Sequence, residues 1–126
     1  MSTRLVDDEG SITDELEKCL RVIFAKYCTP KSTDGSLADN AHLTTEGLDA
    51  WAKDTNGSPF SQETKDEILE FMDVTDDGHL TFKGFLQVYQ LQTENDPEET
   101  YSDLVRLVTI DVLGYLFGFS VVTAWV

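Results

Sequence analysis

Asp73-Val74-Thr75-Asp76-Asp77-Gly78-His79-Leu80-Thr81-Phe82-Lys83-Gly84 is a short polar run set between two apolar-faced segments, and the chain is organised around it. Side chains bearing oxygen stand at its first, third and fifth positions, and a glycine at its sixth. Glycine adopts a positive φ without steric cost, so Gly78 marks a sharp turn. On the N-terminal side, Ser61 is placed to cap a helix with Glu63 in its first turn and an apolar face of Ile68, Leu69, Phe71 and Met72. On the C-terminal side, Phe82, Phe85, Leu86 and Tyr89 recur at helical spacing.

The same arrangement occurs earlier. His42-Leu43-Thr44-Thr45-Glu46-Gly47-Leu48 matches His79-Leu80-Thr81-Phe82-Lys83-Gly84-Phe85 at an offset of 79 − 42 = 37 residues. Two helix–loop–helix units of that period form an internal repeat. The first unit opens with a helix predicted from about Ile12 to Tyr27, with Ser11 as N-cap and a stripe of Ile12, Leu16, Leu20, Ile23, Phe24 and Tyr27. Thr29-Pro30 ends it, because proline disfavours helix at the residue before it. A loop from Lys31 to Asn40 leads to a short helix capped by Thr44 or Thr45, which turns Leu48, Trp51 and Ala52 inward and stops at Asn56-Gly57. A fifth helix begins at Asp96-Pro97-Glu98-Glu99, an N-cap, a proline and two acids, with Tyr101, Leu104, Val105 and Val108 as its stripe. No segment alternates like a strand, so the expected fold class is all-α.

The 73–84 run resembles the calcium loop of the EF-hand superfamily, D-x-[DN]-x-[DN]-G-x₅-E, and the resemblance extends over residues 12–93. It implies a fold of two paired hands over 11–93, a pseudo-hand (12–56) and a calcium-type hand (61–93), with an additional helix and apolar tail over 94–126. It also implies a ligand set: Asp73, Thr75 and Asp77 through side chains, His79 through its backbone carbonyl, and Thr81 directly or through water. Leu80 and Leu43 would form the short backbone bridge between the loops. Calcium takes about six to eight oxygens, and the loop departs from the pattern at its last position. Gly84 stands where a bidentate glutamate is expected, and Thr75 replaces an acid or amide. Weak Ca²⁺ binding, at about 10⁻⁴ M or weaker, is the expectation, with Mg²⁺ as the other cation. By the same register, Gly84→Glu is expected to tighten binding. The first loop, counted back from Gly47 to Cys28, is eight residues longer than twelve, and its Asp34, Asp39 and Asn40 do not alternate; it reads as a structural partner without metal. A looser similarity runs to the EF-hand segments of mitochondrial Rho GTPases, through Leu80-Thr81-Phe82-Lys83-Gly84-Phe85-Leu86 and Glu99-Thr100-Tyr101. It implies that the helix near 97–108 tucks into the groove of the hand. The sequence contains no G-x₄-G-K-[ST], so no GTPase activity is carried over.

Composition narrows the function. The 126 residues carry 9 Lys+Arg and 24 Asp+Glu, a net charge of −15. That surface repels phosphates, which argues against nucleic-acid partners and anionic membrane. With 40% apolar residues, the chain has enough core-forming sequence to fold. Cys19 and Cys28 lie nine residues apart in one predicted helix, a rise of about 13.5 Å, too far to bridge. The first residues show no apolar signal segment. Both features point to a reducing, cytoplasmic setting. His42 and His79 are the only histidines, and neither cysteine sits in a basic setting that would activate it, so an enzyme is not expected. Residues 112–126 carry no charge, and three readings of the segment 107–126 stay open: a membrane anchor, a segment lying in the apolar groove, or an appended tail. The expected role is a binding module for an amphipathic helix of a partner protein or for its own C-terminal segment. With Met1 and Met72 the only methionines, the groove lacks the adaptable lining of promiscuous binders. The alternative is a structural interaction domain that has lost calcium.

Overall fold

The computed structural model describes residues 5–31 and 37–107. Those residues form five helices and one two-stranded sheet, an all-α fold: α1 (Asp14–Tyr27), β1 (His42–Leu43), α2 (Thr45–Asn56), α3 (Gln62–Phe71), β2 (Leu80–Thr81), α4 (Phe82–Asn95) and α5 (Pro97–Leu107). The tail readings for 108–126 and the loop acid Asp34 lie outside the described residues.

Capping chemistry sets the helix starts. The hydroxyls of Thr13, Thr44, Ser61 and Thr81 accept from Leu16, Gly47, Thr64 and Gly84 N–H respectively, each satisfying one orphan donor of a first turn. Glu99 N–H reaches the Asp96 side chain, and Pro97 opens α5. Gly57 closes α2 in the left-handed region at φ +87°. The N-terminus of α1 differs from expectation. Ser11 is not the cap and Ile12 is not helical, because Ser11 closes a turn back onto Asp7 and Ile12 N–H donates to Gln90 Oε1 at 3.1 Å.

β1 and β2 pair antiparallel, His42 with Thr81 and Leu43 with Leu80, and both leucines are buried. Beneath this ladder lies the core. Leu16, Leu20, Ile23 and Phe24 of α1 are fully buried, as are Phe85 and Tyr89 of α4. Trp51 joins the halves: its ring lies against Phe60, Phe85 and Tyr89, with centroids 5.5, 4.8 and 5.8 Å away. Phe24 meets Phe82 and Phe85 edge-on, each at 5.3 Å. Aromatic pairs in these geometries add about 0.5–1.5 kcal/mol beyond burial.

Two expected apolar faces are met in part: Ile68, Leu69 and Met72 of the one, and Tyr101 and Leu104 of the other, pack on the core, while Phe71 and Val105 face outward. Phe71 is 73% exposed, because α3 is shallowly docked and buries none of its residues. In α5 the buried set is Thr100, Asp103, Leu104 and Leu107, and Val105 faces outward. The inward stripe still steps by three and four, but two of its members are polar and escape a hydrophobic pattern. Both cysteine thiols are buried, and burial pushes the Cys19 thiol up to about 12, which keeps it protonated and inert near neutrality.

Candidate functional site

The 73–84 loop is held by its own groups. Val74 bridges Leu80 across it. Thr75 N–H donates to the His79 carbonyl at 2.8 Å, and Gly78 N–H to the Thr75 carbonyl at 2.9 Å. Gly78 sits at φ +84°, the conformation that the sixth position demanded. Asp73 and Thr81 meet at the neck: the Thr81 hydroxyl lies 2.5 Å from Asp73 Oδ2 and 3.1 Å from the Asp73 carbonyl, which also accepts Thr81 N–H. The Thr75 hydroxyl accepts His79 N–H at 3.1 Å.

Of the five predicted ligand residues, Asp73 is thus brought together with Thr81, and Thr75 with His79. Asp77 is exposed at the tip. The His79 imidazole stacks on that of His42, centroids 5.0 Å apart and planes 8° from parallel, and so ties the loop to β1. Among the described residues, no group of three or more His, Cys, Asp and Glu side chains is gathered as a metal site.

Gly84 shows why its position tolerates no side chain here. A Cβ would lie 2.3 Å from the Asp73 carbonyl oxygen and 2.6 Å from Leu80 Cδ1. The expectation that Gly84→Glu simply restores a ligand is therefore corrected: the first side-chain atom collides with the neck before any carboxylate reaches the loop. Gly47 repeats the feature, its Cβ position 2.6 Å from the Tyr27 carbonyl oxygen. Both glycines let the start of a helix press against the end of the preceding segment.

A third copy of the loop lies at residues 5–16, 73 − 5 = 68 residues earlier. Asp7 N–H donates to the Ser11 carbonyl at 2.8 Å and Gly10 N–H to the Asp7 carbonyl at 3.0 Å, with Gly10 at φ +84°. Val6 bridges Ile12, Ser11 N–H reaches Asp7 Oδ1 at 3.0 Å, and Thr13 caps α1 as Thr81 caps α4. The signal was present in Gly10-Ser11-Ile12-Thr13 against Gly78-His79-Leu80-Thr81. It is missed by a ligand pattern because Leu5 stands where Asp73 does.

Behind the loops, α5 lies across α2 and α4 on a buried polar hub. The Tyr89 hydroxyl accepts from Trp51 Nε1 at 3.1 Å and donates to Asp103 Oδ2 at 2.8 Å. Gln92 Nε2 donates to the same oxygen at 3.2 Å, and Thr93 and Thr100 hydroxyls are 2.8 Å apart. Asp103 Oδ1 is buried with no hydrogen-bond partner among the described residues. Burial raises the Asp103 carboxyl above its ordinary range, against the opposing pull of Gln92, Tyr89 and Arg106. Burial, then the Asp103 charge, pushes the Tyr89 phenol well up. Arg106 donates to the Thr55 carbonyl and Lys26 to the Leu107 carbonyl, so α5 is fastened at several points.

No helix among the described residues is long and apolar enough to cross a membrane. Comparison with protein-family models, with curated proteins and with solved structures finds no match.

Proposed function

We propose that the chain is an EF-hand-type interaction module with a weak calcium site, a binding protein rather than an enzyme. The observation that carries this reading is the ladder of Leu43 with Leu80 and His42 with Thr81. It joins two helix-flanked loops whose exits share a threonine cap and a glycine neck. Asp73, Thr75, Asp77, the His79 carbonyl and Thr81 would hold Ca²⁺, or Mg²⁺ in its place, with affinity of about 10⁻⁴ M or weaker. Its partner is an amphipathic helix, and its setting the cytoplasm; attachment to a membrane through 107–126 concerns residues that, beyond Leu107, lie outside the described ones.

A second reading, a calcium-independent structural pair, is favoured by the Asp73–Thr81 bond and by the crowding at Gly84, which leaves no room for a ligating side chain. Calorimetric titration with calcium separates the two. Heat that saturates and vanishes in Asp73→Ala supports the calcium module. No heat at millimolar calcium removes it and leaves the structural pair.

A further inference from the structure

The hub beneath α5 holds a carboxyl group whose two oxygens are unequally served. Asp103 is 3% exposed. Its Oδ2 accepts from the Tyr89 hydroxyl at 2.8 Å and from Gln92 Nε2 at 3.2 Å. Its Oδ1 is buried and has no hydrogen-bond partner among the described residues. Arg106, one turn further along α5, donates to the Thr55 carbonyl. An ionised carboxylate with one bare oxygen in a buried interface carries the cost of desolvating its charge. A protonated one carries no charge to desolvate, and its Oδ2 keeps both donors.

That cost falls on one helix. α5 is joined to α4 through Asp96 alone, a one-residue joint. Its buried residues are Leu104 and Leu107 together with Thr100 and Asp103, so half of its inward face depends on polar pairing rather than on apolar area. The aromatic contacts of Phe24 with Phe82 and Phe85, and of Trp51 with Phe60 and Phe85, are made without α5. An element held by little apolar area opens at lower free energy than the core it packs on. The charged groups around α5 are otherwise engaged or lie at its edge. From α4, Tyr89 faces Asp103, and burial keeps its phenol protonated. From α2, Lys53 and Asp54 line an open cleft with Glu99 and Arg106 of α5. From α1, Lys26 donates to the Leu107 carbonyl and the Tyr27 hydroxyl to Asp54.

We propose that α5 is a proton-controlled clasp, docked firmly while the Asp103 carboxyl is protonated and opening about Asp96 more readily once that carboxyl is ionised. The clasp requires neither calcium nor a partner. Linkage fixes its sign. Burial raises the docked carboxyl above the ordinary carboxylate range, so the docked chain holds a proton that the open one has released. The added docking strength is complete below the ordinary range and is lost as pH rises through the raised midpoint. A gap of one pH unit between the open and docked midpoints is a factor of about ten in the docking equilibrium.

Two measurements on the full-length protein test the clasp. Carbon-13 NMR of the side-chain carboxyls follows the titration of Asp103 directly. Amide hydrogen exchange over α5, corrected for the intrinsic pH dependence of exchange, follows its opening. The expected result is an Asp103 midpoint above those of the exposed aspartates. Protection of α5 then falls about tenfold or more as pH rises through that midpoint, while α1 stays protected. Asp103→Asn has no proton to lose, so its α5 protection is expected to stay level over the same range. The difference between wild type and variant persists at high salt, which screens the surface charge of the chain far more than a buried carboxyl. An Asp103 midpoint in the ordinary carboxylate range overturns the proposal. So does a parallel fall in wild type and Asp103→Asn, which assigns the pH response to surface repulsion, or a loss of protection in α1 together with α5, which assigns it to the whole fold. Tyr89→Phe keeps the test decisive if Asp103→Asn does not fold. It removes one donor to Oδ2, disfavours the ionised form, and is expected to move the loss of α5 protection to higher pH; an unmoved loss overturns the clasp.

Discussion

The two helix–loop–helix units share their necks and differ in their tips. In each, a threonine caps the outgoing helix and a glycine three residues later lets that helix touch a backbone carbonyl, Tyr27 for Gly47 and Asp73 for Gly84. In the first unit the loop is drawn together by Thr29 and His42, which exchange N–H···O bonds of 2.8 and 3.0 Å. In the second, the Asp73 side chain and Thr81 hydroxyl also take part, at 2.5 Å. Close approach of helix to neck is a steric requirement that only glycine meets. Closing the tip is a hydrogen-bonding requirement, and many residue types meet it.

The glycine necks are the strongest place to break this likeness. Gly84→Ala forces a methyl within 2.3 Å of a carbonyl oxygen, and overpacking of this kind costs about 1–3 kcal/mol. Gly47→Ala, at 2.6 Å, is expected to cost less. Urea unfolding midpoints rank the two, and equal or negligible losses would mean the necks open freely. Gly84→Glu is expected to destabilise at least as much as Gly84→Ala and to bring no gain in calcium heat.

The caps sharpen the comparison at smaller scale. Thr44→Ala removes a single N-cap acceptor, worth about 1 kcal/mol. Thr81→Ala also strips the Asp73 carboxylate of its hydroxyl, so a loss nearer about 2 kcal/mol is expected. Serine at either site restores most of the stability. If the two alanine variants unfold at the same urea concentration, the Asp73–Thr81 bond contributes nothing.

The smallest effect tests the third copy. Gly78→Ala and Gly10→Ala each place a Cβ at φ +84° with open space around it. Each substitution adds only backbone strain, a cost of about 1 kcal/mol. Thermal unfolding should shift equally for the two. A clear inequality would show that the tips at 7–11 and 75–79 are alike in form but not in constraint.

Much of this was legible from residue types. The helix stripes of α1, α2 and α4, the caps at Ser61 and Asp96, Thr44 as one of two candidate caps, and the Leu43–Leu80 pairing follow from residue types, periodicity and a repeat that places equivalent leucines side by side. What was illegible follows from chemistry that a hydrophobic pattern discards. Thr100 and Asp103 are buried because Thr93, Gln92 and Tyr89 supply partners, and no window on α5 alone contains those partners. Ile12 left the helix because a glutamine 78 residues away takes its N–H. At the candidate site, the sharp turn at Gly78 was legible from spacing, but the demand on Gly84 was not. A missing glutamate and a glycine required by crowding look the same until the Asp73 carbonyl is in view.

α3 is the one helix among the described residues that buries no side chain completely. Ile68 and Leu69 lean on the core without entering it, and Lys65 holds Asp49 at 3.1 Å near the surface. Elements with so little buried area separate locally at low free energy. The open groove of about 700 Å³ lined by Ile12, Phe71, Met72, Leu86 and Leu91 therefore has a compliant side where α3 ends, one that shifts without disturbing the Tyr89–Asp103 hub.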